Sequence, residues 1–178
     1  MTVLRGERVV LRPLQMEELD DLLEARMRID DLPLTTGAAA RRQLARQIAN
    51  SGRFANGRLD FGVEAGGRLV GTIDARHPQG FVPSGVYELG IVVFDTGDRG
   101  KGYGAEAVSL LLGHAFETLN AGRIQAGTAI GNRAMRRVLE KLGFREEGVM
   151  RSFMPVGEGR EDYVLYAITR DDWNKLGR

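Results

Sequence analysis

At 178 residues and 43% apolar side chains, the chain can bury one substantial core, and no run in it is long and apolar enough to cross a bilayer. Its 25 basic and 24 acidic side chains leave a net charge of +1, so it is not a general nucleic-acid coat, and any polyanion it binds must be met by a local cluster. Cysteine is absent, which removes disulfides, thiolate metal ligands and a thiol nucleophile together.

The opening residues, MTVLRGERVVLRPL, lack the basic-then-apolar layout of a signal peptide, so a cytoplasmic location is expected. ERVVLRPL (7–14) alternates and predicts a first strand. QMEELDDLLEARM follows with Met16, Leu19, Leu23 and Met27 at helical spacing and its acidic residues in the early turns, where they suit the helix dipole. A second helix is predicted over 38–50. RLDFGVEAGGRLVGTIDARH predicts two strands around Gly66-Gly67, a hairpin turn that needs positive φ. PQGFVPSG (78–85) reads as a loop and YELGIVVFD as the next strand. A helix opens near residue 102, with Ala105, Val108, Leu112, Ala115, Phe116 and Leu119 as its apolar stripe. GRIQAGTAI predicts a strand. NRAMRRVLEKLGF predicts a helix with Met135, Val138, Leu139 and Leu142 on one face and Gly143 at its C-cap. EGVMRSFMPV and DYVLYAITR predict a closing hairpin. The order β-α-α-β-β-β-α-β-α-β-β, with no repeat or linker, predicts one α/β (α+β) domain spanning residues 1–178, with a right-handed β-α-β crossover at its centre.

The junction DRGKGYGAEA (98–107) carries the chemistry. An apolar strand feeds Arg99-Gly100-Lys101-Gly102-Tyr103-Gly104, and a helix follows. A helix N-terminus offers unpaired N–H groups and partial positive charge, and glycines admit a ligand close to the backbone. With Arg99 and Lys101 adding charge, the junction suits a pyrophosphate. It is not a P-loop, since Lys101 is followed by Gly102, and its G-x-G-x-G spacing is not that of a dinucleotide fingerprint. It fits R-x-x-G-x-G through Arg99, Gly102 and Gly104. The simpler alternative is a plain strand-to-helix turn, which would not need three glycines. His77 and His114 are too few and too far apart for a metal site, and no metal is expected.

Four blocks in order, ERVVLRPL, YELGIVVFDTGDRGKGYGAEA, NRAMRRVLEKLGFREEG and DYVLYAITRDDW, resemble those of the GNAT acyltransferases, and within them the ribosomal-protein N-terminal acetyltransferase branch. The resemblance implies a mixed, mostly antiparallel central sheet with a strand-helix-strand-helix unit that binds acyl-CoA. It implies acetyl-CoA as acyl donor, its pantetheine arm lying between two splayed strands and pairing with the backbone of Ile91, Val92 and Val93. Gly90 in mid-strand is consistent with a bulge. Gly100, Gly102, Tyr103 and Gly104 would meet the pyrophosphate. Asn132 would reach the pantetheine region, or serve as an N-cap, or both. Arg133, Arg136 and Arg137, with Lys101, could meet the ribose 3′-phosphate or simply form a solvated helix face.

Acetyl transfer needs a neutral amine, and α-amines titrate at about 7.7–8.0 against about 10.4 for lysine. Glu88, where the related branch often carries a glutamate, is the candidate general base; otherwise it is a salt-bridged strand residue. The backbone at Val92 or Val93 is placed to stabilise the oxyanion. Direct attack in a ternary complex is expected, since no cysteine can carry the acyl group and serines 51, 84, 109 and 152 lack an evident partner. The usual Ser and Tyr proton donors of the family are replaced by Met135 and Leu139, both read as core, which leaves water, Tyr103 or Tyr163 for the thiolate. Arg41, Arg42, Arg46 and Arg53 suit an acceptor with a carboxylate or phosphate, or are surface arginines. The expected partner is an amine acceptor, a protein N-terminus or a small molecule, with no nucleic acid or membrane and with a homodimer left open. The alternatives are a non-catalytic CoA-binding regulatory module and a structural domain with a vestigial loop.

Overall fold

The computed structural model describes residues 1–27, 37–78 and 82–177. In chain order the strands are β1 (Leu4–Arg5), β2 (Val10–Arg12), β3 (Arg58–Ala65), β4 (Arg68–Arg76), β5 (Val86–Val93), β6 (Arg123–Ala129), β7 (Arg145–Val156) and β8 (Gly159–Thr169). The helices are α1 (Leu19–Met27), α2 (Gly37–Asn50), α3 (Tyr103–Glu117), α4 (Arg133–Lys141) and α5 (Arg170–Lys175). The loop expected at 78–85 lies partly outside the described residues. The eight strands form one sheet in the order β1-β2-β3-β4-β5-β6-β8-β7. Among the described residues only β5 and β6 run parallel, joined by the α3 crossover; the other neighbours are antiparallel.

Strand alternation decides which face each side chain meets. Leu59, Phe61, Ile73, Ala75, Tyr87 and Leu89 are buried in the cluster that also holds Val108, Leu111, Leu112 and Phe116 of α3. The α3 stripe is therefore centred on Ala107 and Leu111 as well as the expected Val108, Leu112, Ala115 and Phe116, while Ala105 and Leu119 are only half-buried. Residues 58, 60, 74, 76 and 88 point to the opposite face. There a second cluster of Leu14, Leu19, Leu22, Leu44 and Ile48 seats α1 and α2, with Leu69 and Phe94 packed against it. On α4, Leu139 and Leu142 are buried and Met135 and Val138 pack at the margin of the main core.

The Gly66-Gly67 turn joins β3 to β4 with both φ values positive, +59° and +77°, as a two-residue hairpin requires. Gly143 ends α4 at φ +93°, and the N–H of Phe144 returns to the Leu139 carbonyl at 3.0 Å.

Two elements differ from expectation. The first strand is not continuous over 7–14. Residues 4–5 fold back on 10–12 through a tight turn in which the Gly6 N–H donates to the Val9 carbonyl at 2.9 Å. The alternation survives only where Val9 and Leu11 reach the core. Upstream, the carboxylate of Glu106 on α3 accepts from the N–H groups of both Glu7 and Arg8 and holds the turn. The second difference is α5. A capping box starts it, with Thr169 Oγ1 and the Asp172 carboxylate bonded at 2.6 Å, and buried Trp173 stacks on Phe116 with ring centres 5.3 Å apart.

Candidate functional site

The glycine junction begins where β5 ends. A short 3₁₀ turn (Thr96–Asp98) leads to Arg99, and α3 starts at Tyr103. Gly100 and Gly102 adopt φ of +77° and +85°, a region that L side chains rarely enter. Gly102 is the N-cap, and no side chain caps the first turn. Among the described residues the leading N–H groups of α3 have no intrahelical or side-chain partner, which makes a ready anion cradle. The third glycine differs. Gly104 is within the helix, and a Cβ there would sit at ordinary contact, 3.7 and 3.9 Å, from the Ile91 and Val93 side chains. The space would take an alanine, so neither a positive φ nor clearance requires glycine at this position.

The loop is pinned from beneath. Asp98, 3% exposed, accepts from Arg68 at 2.7 Å on each oxygen and from the Lys101 ammonium at 3.0 Å. Lys101, expected to face phosphate, is thereby engaged with Asp98, and its Nζ lies 5.9 Å from the centre of the Tyr103 ring. Arg99 is exposed and forms no ion pair among the described residues. A cation the sequence did not suggest lies nearby. The Arg8 side chain passes 3.8 Å from the position a Cβ would take on Gly102, because Glu106 docks the N-terminal turn on the first turn of α3. No spacing in the sequence links residue 8 to residue 102; the i, i+3 spacing of Asp98 and Lys101 was readable.

Arg68 and Lys101 hold the Asp98 carboxyl below the usual aspartate range. That stabilisation is complete above the unfolded value of about 3.9 and is lost as pH falls through the lower folded value. Asp98→Asn should therefore melt earlier than the parent at neutral pH and lose less stability on acidification below about pH 4. Superimposable melting profiles across that range would show that the loop is anchored elsewhere.

Beyond the junction, β5 and β6 part. Their ladder pairs Val86–Glu88 with Arg123–Gln125 and goes no further, while Ala126–Ala129 continue on β8. The N–H of Phe94 donates to the Val70 carbonyl at 3.0 Å, and the Val92 carbonyl lies against Gly71, so even-numbered backbone groups here face β4. By alternation the N–H and C=O of Ile91 and Val93 face the opening toward β6. Val92 gives its backbone to β4, which moves the candidate oxyanion donor to its neighbours. Gly90 makes no bulge, since the β4–β5 register runs unbroken from Gly71–Val93 to Arg76–Glu88. It is glycine for clearance: a Cβ there would stand 2.8 Å from Asp74 Oδ1 and 2.9 Å from Arg76 Nη1.

Asn132 opens α4, its side-chain oxygen accepting from the Met135 N–H at 3.1 Å, so the N-cap role is filled. Of the three α4 arginines, Arg136 is occupied by the Tyr166 hydroxyl at 3.1 Å, Glu146 and the Ile130 carbonyl. Arg133 and Arg137 are exposed. Leu139 is buried in the core as expected, and Met135 packs, partly buried, at its margin. Tyr103 is half-buried at the start of α3, and Tyr163 packs its ring against Phe153 with centres 5.4 Å apart.

Glu88 stands at the last rung of the β5–β6 ladder, on the face away from α3. Arg76 Nη2 meets its Oε1 at 2.5 Å, and Arg76 Nη1 meets Asp74 Oδ2 at 3.0 Å. Asp74 is also held by Arg58 at 3.1 Å, and Arg58 by Asp60 at 2.6 Å. Burial pushes the Asp74 carboxyl up, against the pull of Arg58 and Arg76. Across the opening, a Cβ on Gly127 would meet Met150 at 3.3 Å and Tyr163 at 3.6 Å, so these two side chains overhang β6 on the Glu88 face. Among the described residues no group of His, Asp and Glu could hold a metal ion.

Residues 8–145 match the family model described as the acetyltransferase (GNAT) domain. The Bacillus subtilis protein named "Probable N-acetyltransferase YjcK" is 34% identical over 107 residues, 59% of this chain and 57% of that one. The Escherichia coli [ribosomal protein uS5]-alanine N-acetyltransferase is 31% identical over 75 residues, 42% of this chain and 39% of that one. These matches thus span about half the length of those relatives or less. The crystal structure of an acetyltransferase (GNAT family) from Bacillus anthracis superposes with a TM-score of 0.76 at 25% identity, covering 96% of this chain and 99% of the other.

Proposed function

Because the chain belongs to the GNAT acetyltransferase family, we propose that it transfers the acetyl group of acetyl-CoA to a primary amine by direct attack within a ternary complex. The observation that carries this reading is the parting of β5 from β6 beside an uncapped helix N-terminus. One end suits a pyrophosphate and the other offers an unpaired strand edge, at Ile91 and Val93, to an extended amide-bearing arm. Arg99, Gly100, Gly102 and Tyr103 would line the phosphate end, with Lys101 adding charge from its place on Asp98 and Arg8 from the N-terminal turn. Gly104 would follow in the first turn of α3, its N–H among those offered to the phosphate. Asn132 and Val92 would flank the arm through their side chains.

In the reaction the amine nitrogen attacks the thioester carbonyl carbon, the C–S bond breaks and the acetyl group passes to nitrogen. Glu88 takes the ammonium proton through a water, and the Ile91 or Val93 N–H steadies the oxyanion. The departing thiolate takes a proton from water, Tyr103 or Tyr163. The acceptor is a protein N-terminus or a small amine. The uS5-alanine specificity of the E. coli relative makes an alanine-initiated peptide the first to try. The protein is proposed to work in the cytoplasm without a metal.

The packing of Leu139 in the core and of Met135 at its margin, where the resemblance implies proton donors, favours a second reading, a CoA-binding module without turnover. Calorimetry with acetyl-CoA followed by a CoA-release assay against amines and peptides separates the two. Binding with amine-dependent release supports transfer, binding without release supports the module, and absence of binding ends both.

A further inference from the structure

We propose that Arg76 is a positioning residue for Glu88, held in place by Asp74 and Arg58, and that Gly90 is the gap in β5 that accommodates this assembly; the inference rests on the reading of Glu88 as general base.

A glutamate on a strand has three rotatable side-chain bonds, and at the mouth of an opening nothing in its own strand restrains them. Here the restraint comes from the adjoining strand. Arg76 lies directly opposite Glu88 in the β4–β5 register, and its guanidinium fork reaches two carboxylates at once. One nitrogen holds Glu88 Oε1 and the other holds Asp74 Oδ2, so Arg76 cannot rotate away from Glu88 without also leaving Asp74. Asp74, with a side chain 13% exposed, is fixed on its other oxygen by Arg58 from β3. Asp60 pairs with Arg58 and accepts from Gln47 of α2, which in turn accepts from Arg26 of α1. On β6, Gln125 stands opposite Glu88 and is approached by Arg123, itself paired with Glu147.

Two observations speak for a role beyond holding strands together. Partly exposed ion pairs contribute little to stability, and a buried carboxylate is a costly strand residue that a well-packed apolar group could replace. The second is Gly90. A glycine in mid-strand weakens the strand, and here its missing Cβ is what leaves room for Asp74 and Arg76.

The test is a double-mutant cycle on kcat/KM, with acetyl-CoA and the amine or alanine-initiated peptide that gives the fastest CoA release. A misplaced catalytic group typically costs up to about 10²-fold. Arg76→Gln should lower kcat/KM roughly 10- to 100-fold with acetyl-CoA affinity unchanged by calorimetry, and Arg76→Lys should recover part of the loss. Because Arg76 acts through Glu88, the double variant Arg76→Gln/Glu88→Gln should be no slower than Glu88→Gln alone. If the two losses multiply instead, Arg76 acts independently and the proposal fails. Glu88→Gln with full turnover sinks the reading of Glu88 as base. Glu88→Gln impaired beside an undiminished Arg76→Gln sinks only the positioning role. Should Arg76→Gln fail to fold, the neutral pair Asp74→Asn/Arg76→Gln takes its place in the same cycle. A crystal structure provides a readout without an acceptor: the Glu88 carboxylate should spread over several rotamers once Arg76 is gone, and a carboxylate still fixed at the wild-type position overturns the proposal.

Discussion

Glu88→Gln is expected to lower kcat/KM by about 10²–10⁴-fold, the range that general-base assistance supplies, with acetyl-CoA binding as before. The amide keeps the size of the carboxylate and can still meet Arg76 through its carbonyl oxygen, so geometry is largely retained and proton acceptance is lost. An α-amine with a pKa of about 7.7–8.0 is mostly ammonium at neutral pH and mostly free base two units higher. The defect therefore narrows as the pH is raised, because less of the acceptor needs a base. A positioning role alone would lower the rate without that recovery. The measurement is kcat/KM for wild type and variant across that pH range with one verified acceptor. Equal rates near neutrality would return Glu88 to the role of a salt-bridged strand residue.

Gly102→Val is expected to weaken acetyl-CoA binding strongly in a protein that still folds. Valine at a φ of +85° is strained, so the N-cap turns away and takes the leading N–H groups of α3 with it. Losing two charge-assisted hydrogen bonds, at about 1.5–3 kcal/mol each, weakens affinity by roughly 100-fold or more. The backbone strain itself is about 1–2 kcal/mol, which the domain can absorb. Gly104→Ala is the contrast. Its Cβ meets Ile91 and Val93 at ordinary contact distance in a helical backbone, so calorimetry should find affinity within a few-fold of the parent. Equal loss at both positions would show that crowding, not the left-handed N-cap, governs the loop.

The elements that could be read from the sequence are those set by local chemistry. The Gly66-Gly67 hairpin, the glycine junction and the C-cap at Gly143 each follow from a backbone requirement carried by one or two residues. The broken first strand was hidden because its cause, the carboxylate of Glu106, lies nearly one hundred residues away. The last helix was missed although Thr169 and Asp172 announce it, since only one and a half turns follow and the signal sits against a strong strand. At the site, Glu88 and the loop residues could be named from the sequence, but their partners could not. Lys101 could be equally a phosphate contact or a tether for Asp98, and only the arrival of Arg68 beneath the loop shows the tether. Gly90 looked like a bulge because a strand glycine has two common causes, and the strand register decides between them.

The alternation along β5 has a further consequence. Val92 and Phe94 turn their backbone groups to β4, and Ile91 and Val93 turn theirs outward, so one strand holds the sheet with half its peptide groups and offers the other half as an edge. Peptide groups are the same whatever side chain hangs from them. Substitutions along this stretch can therefore accumulate over evolutionary time without rewriting what the edge presents, provided the chain still pairs with β4. The face beside that edge has no such insulation, since it presents the side chains of Glu88, Arg76, Met150 and Tyr163, where each replacement changes the chemistry on offer. In a lineage carrying this fold, the backbone edge is held constant by geometry, while the side-chain face beside it is free to diversify.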